Sequence, residues 1–192
     1  MTERGMIFNG EMVRAILDGR KTQTRRPIKW RQTRATEIAE REDGSKWPWS
    51  EDAENVCDYW HPCPFGAVGD KIWVRETWNK YGGLLTYRVD HDWIDEMRKE
   101  TVCTAKWTPS IHMPRWASRI LLEITDVRVE RLKSISDGDA IREGCSTADM
   151  KSGDCAADVF ARLWASIYGE ESWQANPWVW VIEFKRVEGG AA

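Results

Sequence analysis

The feature that most constrains this chain is an amphipathic segment followed at once by Gly19-Arg20-Lys21-Thr22-Gln23-Thr24-Arg25-Arg26. Asn9 can cap a helix whose apolar positions Met12, Val13, Ile16 and Leu17 follow the helical period, and Gly19 supplies the stop. Lys21, Thr24 and Arg26 therefore fall just past a helix end, where the chain turns into a strand. In an extended segment Thr24 and Arg26 point the same way, and a nearby lysine can reach the hydroxyl. A small polar site is one reading. The other is a solvated helix end, where cations complement the macrodipole.

Composition narrows the class. A chain of 192 residues with 42% hydrophobic and 31% charged residues can bury a real core as one domain. Its net charge of -3 gives no global attraction to nucleic acid, so such a site must be a local basic patch. Thirteen tryptophans stand out. Most belong in the core or in pocket walls, while a few on a concave face can stack bases at about 1–3 kcal/mol each. The start runs into polar sequence with no apolar leader, and no stretch approaches the length of a membrane span, so a cytoplasmic protein is expected. Five irregularly spaced cysteines suit reduced thiols better than a disulfide framework.

Along the chain, a strand, helix and basic turn occupy residues 6–29. Residues 30–62 are charged and poor in aliphatics, and read as a long insertion or flap. Lys71 to Trp78 alternates so that Ile72, Val74, Glu76 and Trp78 share a face. A carboxylate on that apolar face must be paired or border a cavity. Strands follow at Leu84–Val89 and Ile120–Val129, separated by the loop-like residues 90–119. Ser136-Asp137-Gly138-Asp139 resembles a capping box opening a short helix that ends at Gly144. A stronger helix over 154–168 gathers Val159, Phe160, Leu163, Trp164, Ile167 and Tyr168 on one side. A last strand from Trp178 to Val187 places Trp178, Trp180, Ile182 and Phe184 together. The fold class expected is α+β, a small, mostly antiparallel β-barrel flanked by a few helices. It forms a single domain over 1–192 with insertions at about 30–62 and 90–119.

This arrangement resembles the ASCH family of the PUA-like superfamily. The family motif Gly-x-Lys-x-x-Thr-x-Arg is matched by Gly19, Lys21, Thr24 and Arg26. Gly69-Asp70, Glu143-Gly144 and the terminal Val181-Ile182-Glu183-Phe184-Lys185 match further along, in order. The Cys63-Pro64-Phe65-Gly66 to Glu76 block and Met113-Pro114-Arg115-Trp116 look like the longer members carried by bacteriophages and prophages. The resemblance implies a PUA-like pseudo-barrel with a cleft beside the first motif that binds RNA or nucleotides. Some short bacterial members are amidohydrolases that deacetylate cytidine acetylated on its exocyclic amine. Their functional lysine, threonine and glutamate fall here on Lys21, Thr24 and Glu143. The two insertions are a departure from those short hydrolases.

That trio makes chemical sense. A threonine hydroxyl needs an adjacent base to become a nucleophile. A lysine serves only if burial or a cationic neighbour lowers its pKa, and Arg20, Arg25 and Arg26 are candidate neighbours. Glu143 can orient the lysine or shuttle a proton to the leaving amine, or it can simply finish a helix. Arg26 can hold a base carbonyl or a developing oxyanion. Glu76 is either a second cleft acid contacting substrate or the partner of Arg75, Arg88 or Arg119 in a buried ion pair. Arg115 and Trp116, with Lys106 and Trp107, form either a base-stacking platform or an aromatic plug.

Cys57, His61 and Cys63 invite a zinc reading, but they fall one ligand short and are oddly spaced for a finger. A fourth ligand would have to come from Cys103, Cys145, Cys155 or a carboxylate. A Lys/Thr/Glu site requires no metal or cofactor. Two function classes follow. One is a binder of a nucleoside or single-stranded nucleic acid, RNA rather than DNA. The other is an amidohydrolase acting on an acylated cytidine-like nucleoside.

Overall fold

In the computed structural model, the residues described are 1–52, 54, 57–91 and 106–187. The chain runs through β1 (Glu3–Ile7), α1 (Gly10–Leu17) and β2 (Gln23–Pro27), then β3 (Glu37–Glu40), β4 (Lys46–Asp52) and β5 (Cys57–Trp60). Next come β6 (Lys71–Arg75), β7 (Trp78–Tyr81), β8 (Leu84–Tyr87) and β9 (Leu121–Arg131). Three helices, α2 (Asp137–Arg142), α3 (Ala156–Tyr168) and α4 (Glu170–Gln174), precede β10 (Trp178–Arg186). The α+β class holds.

Five strands form the main sheet in the order β1-β6-β9-β10-β2, antiparallel except for the β1–β6 pair. Alternation along β10 sends Trp180, Ile182 and Phe184 into one apolar cluster with Val13, Ile16, Ile72, Val74, Leu122 and Ile124. Val179 and Val181 enter a second cluster with Leu132, Ala140, Val159, Phe160 and Trp164. The sheet is thus buried on both faces, which supplies most of its stabilisation.

Among the described residues no ladder joins the edge strands β1 and β2, so the main sheet is not a hydrogen-bonded closed barrel. Its edges meet through a side chain instead: Arg26 Nη2 donates to the Ile7 carbonyl at 2.8 Å. The Arg26 guanidinium also sits 5.2 Å from the Phe8 ring centroid.

The segment expected to be an insertion or flap at 30–62 is no bare flap. Strands β3, β4 and β5 pair as an antiparallel meander. Trp47 docks it edge-on against Trp180, with ring centroids 5.0 Å apart. Of the loop-like segment 90–119, residues 92–105 lie outside the described residues, and Cys103 with them. The rest folds back as short 3-10 turns at Ser110–His112 and Arg115–Ala117. Met113 and Ala117 there bury against Trp78 and Tyr87. Among the described residues, no helix is long and apolar enough to cross a membrane.

Candidate functional site

Two helix ends build the centre of the site. Asn9 caps α1 by accepting from Met12 N at 2.8 Å, and Gly19 leaves the helix at φ 75°. The turn then closes with Lys21 N donating to Ala15 O at 2.9 Å. Ser136 and Asp139 form the capping box of α2, whose C-cap is Glu143. Gly144 follows at φ 97°, and a Cβ there would fall 2.8 Å from the Ala15 Cβ and 3.2 Å from that of Lys21. Only glycine lets the two helix ends come this close, and the approach brings Lys21 onto Glu143.

Lys21 is buried, and its ammonium has three acceptors: Gln23 O at 2.8 Å, Glu143 O at 2.7 Å and Glu143 Oε2 at 2.9 Å. Burial pulls its pKa below the ordinary lysine value, and the Glu143 carboxylate opposes that shift. The geometry favours the charged form, since a neutral amine has only two protons for three acceptors. Lys21 is therefore held as an ammonium.

Glu143 is shared. Its other oxygen accepts from Arg25 Nη1 at 3.2 Å. Arg25, with its side chain fully sealed, also reaches Glu130 Oε2 at 3.0 Å and Asp139 Oδ2 at 3.4 Å. Arg128 extends the network to Glu130 at 2.7 Å and Glu183 at 2.5 Å. Desolvation resists ionisation of Asp139. The Ser136 backbone N–H and Arg142 prevail, and hold its carboxyl down at about 2.

Thr24 is buried and lines a cavity of about 170 Å³ with Arg26, Glu143, Phe160, Trp164 and Tyr168. No described residue hydrogen-bonds the Thr24 hydroxyl, and Arg26 Nε is buried without a partner. A larger cavity of about 440 Å³ adjoins it through Met12, Glu143 and Leu163, and is bordered by Arg14, Arg20 and Arg162. So Lys21 and Glu143 are in contact, while Thr24, Arg26 and Glu143 share a cavity wall. No hydrogen bond links Lys21 to Thr24 among the described residues.

The remaining candidates lie elsewhere. Glu76 is buried and paired bidentately with Arg119, at 2.9 and 3.1 Å. Burial pushes its carboxyl up, and Arg119 counters the shift. It borders a neighbouring cavity of about 410 Å³ that shares Ile7 and Asn9 with the Thr24 cavity. Of its two sequence readings, the buried ion pair is present. Arg115 is tied to Glu3 at 2.8 Å, and Trp116 is 62% exposed with its ring edge-on to Trp78. Neither borders the Thr24 cavity. His61 Nε2 is engaged by Ser50 Oγ at 2.9 Å, and burial raises the Cys63 thiol to about 11. Among the described residues, no three His, Cys, Asp or Glu side chains converge as metal ligands.

Arg25 is the site residue that sequence reasoning undervalued, treating it only as a cationic neighbour. The α3 face around Phe160 and Trp164 reads as core from its period, and it also walls the cavity.

The site defines a class: an α+β protein with a sealed Lys–Glu–Arg network beneath a small, aromatic-walled polar cavity. No protein-family model matches the chain, and neither does the sequence of any curated protein. Similar solved structures include the ASCH domain from Lactobacillus crispatus (TM-score 0.46, 12% identity, 96% of this chain and 79% of that one). Another is a protein from Enterococcus faecalis V583 (TM-score 0.44, 11% identity, 97% of this chain and 80% of that one). The first is a domain of the family that the motifs resemble.

Proposed function

We propose that the protein is an ASCH-type binder of a nucleotide or of single-stranded RNA, seating one base in the Thr24–Arg26 cavity. One observation carries this: Thr24, whose hydroxyl has no hydrogen-bond partner among the described residues, lines the same cavity as the Arg26 side chain. Buried donors in proteins are nearly always satisfied, and a base edge supplies the missing acceptor. Phe160, Trp164 and Tyr168 add apolar wall, and the size suits one ring rather than a whole nucleotide. RNA is favoured over DNA because unstacked bases read on their edges are the usual RNA target. The test is calorimetric titration of cytidine monophosphate into the wild type and Arg26→Gln. Equal affinity in both overturns the proposal.

The Lys21–Glu143 contact supports a second reading, hydrolysis of an acylated cytidine-like nucleoside. This requires Lys21 to pass a proton to Glu143 and swing from Gln23 O and Glu143 O to Thr24, whose proton it takes as Oγ1 attacks the acyl carbonyl. The leaving amine takes the proton held by Glu143, and water then cleaves the resulting ester, its hydroxyl going to the acid and its proton to Thr24 Oγ1. Acetate release from acetylated cytidine, abolished in Lys21→Ala and Thr24→Ala, tests it. No release by the wild type leaves a non-catalytic reader.

A further inference from the structure

We infer that the cleft between the β3-β4-β5 meander and the main sheet is a second nucleic-acid site, taking one phosphorylated nucleotide of a single RNA strand. The cleft has a volume of about 620 Å³ and is walled by Arg4, Arg41, Trp47, Trp60, Cys63 and Val127. None of these borders the Thr24 cavity.

Arg41 is the key group. Its guanidinium lies 4.3 Å from the Trp47 ring centroid and 5.1 Å from that of Trp60. No described residue forms a side-chain hydrogen bond or ion pair with it. Trp47 is a fixed platform, because its Nε1 donates to His61 O at 2.7 Å and its ring abuts Trp180. A guanidinium positioned by two indoles with its N–H fork open is prepared for a planar or tetrahedral oxyanion.

The surrounding charge agrees. Among the described residues Asp70 is the one acid on the wall, and its carboxylate is taken up by Thr2 N at 2.7 Å and Ala67 N at 3.1 Å. Arg4 stands beside it at 3.5 Å, so the cleft has two cations to one engaged acid. Half-buried Trp60 offers a stacking surface within the same cavity. An indole, a presented guanidinium and this volume together fit a nucleotide better than a lone carboxylate side chain.

The test is fluorescence anisotropy with a fluorescein-labelled uridine octamer, competed by uridine monophosphate. Arg41→Ala and Trp60→Ala should each weaken octamer binding roughly tenfold. Arg41→Ala should also lower the slope of log affinity against log salt by about 0.7. Arg41→Lys keeps the charge and loses the planar fork, so it should retain the salt slope while binding weakly. Thermal melting confirms that each variant folds. Competition by the monophosphate at equal affinity identifies a free nucleotide as the source of the same chemistry, and supports the site. Unchanged octamer affinity in both alanine variants, or no octamer binding to the wild type, overturns the inference. Octamer binding lost only in Arg26→Gln overturns it too and leaves the Thr24 cavity standing.

Discussion

Lys21 and Glu143, 122 residues apart in sequence, form a salt bridge that solvent does not reach, with Nζ 2.9 Å from Oε2 and side chains 0% and 2% exposed. Desolvating both charges is costly, and the contact survives because the remaining protons and lone pairs are used. Gln23 O and Glu143 O take the other two ammonium protons, and Arg25 takes the second carboxylate oxygen. The pair fixes the floor beneath Thr24.

Glu143→Gln removes the carboxylate paired with Lys21 and leaves that buried ammonium without a counter-charge, while Arg25 keeps Glu130 and Asp139. Its expected cost is about 3–5 kcal/mol, seen as a lower denaturant midpoint at unchanged m-value. A midpoint equal to that of the wild type would show that the pair is not the keystone described.

Gly144→Ala forces a methyl into contact with Ala15 and Lys21 at a positive φ. Strain at such a position is of order 1–3 kcal/mol, and the steric overlap adds to it. Thermal unfolding measures the loss. Gly153→Ala is the comparison: its φ is also positive, but nothing lies within 4 Å. Gly144 should be the more damaging of the two.

Asp139 titrates at about 2 when folded, against 3.8 for an unperturbed carboxyl. A depressed carboxyl contributes stability that is present above the unfolded pKa and lost as pH falls through the folded one. Asp139→Asn should therefore be about 2 kcal/mol less stable near neutrality, with the gap closing between about pH 4 and pH 2. Urea unfolding at stepped pH checks this, and a gap independent of pH would contradict the assignment.

What could be read from sequence was what depends on neighbours in sequence. The Asn9 cap, the Gly19 stop and the Ser136–Asp139 capping box are local, and each stands where its signal lies. The alternation over Ile72, Val74, Glu76 and Trp78 also marks a buried face, although the strand breaks after Arg75. The meander was obscure because Pro48 interrupts its pattern, charges flank it, and its anchor is the long-range contact of Trp47 with Trp180. Arg25 was obscure for a similar reason: Glu130 and Glu143 lie 105 and 118 residues away. Arg115 and Trp116 are the opposite case. Their basic and aromatic character is plain locally, yet their partners are Glu3 and Trp78 rather than the Thr24 cavity.

The most direct test of the central claim is calorimetric titration of cytidine monophosphate into the wild type, Thr24→Val and Arg26→Gln at fixed ionic strength. Thr24→Val keeps the shape and removes the hydroxyl, while Arg26→Gln removes the guanidinium donors. Loss of a hydrogen bond to a buried ligand group should weaken binding about tenfold in each variant. Wild-type affinity in both would contradict a base seated in this cavity.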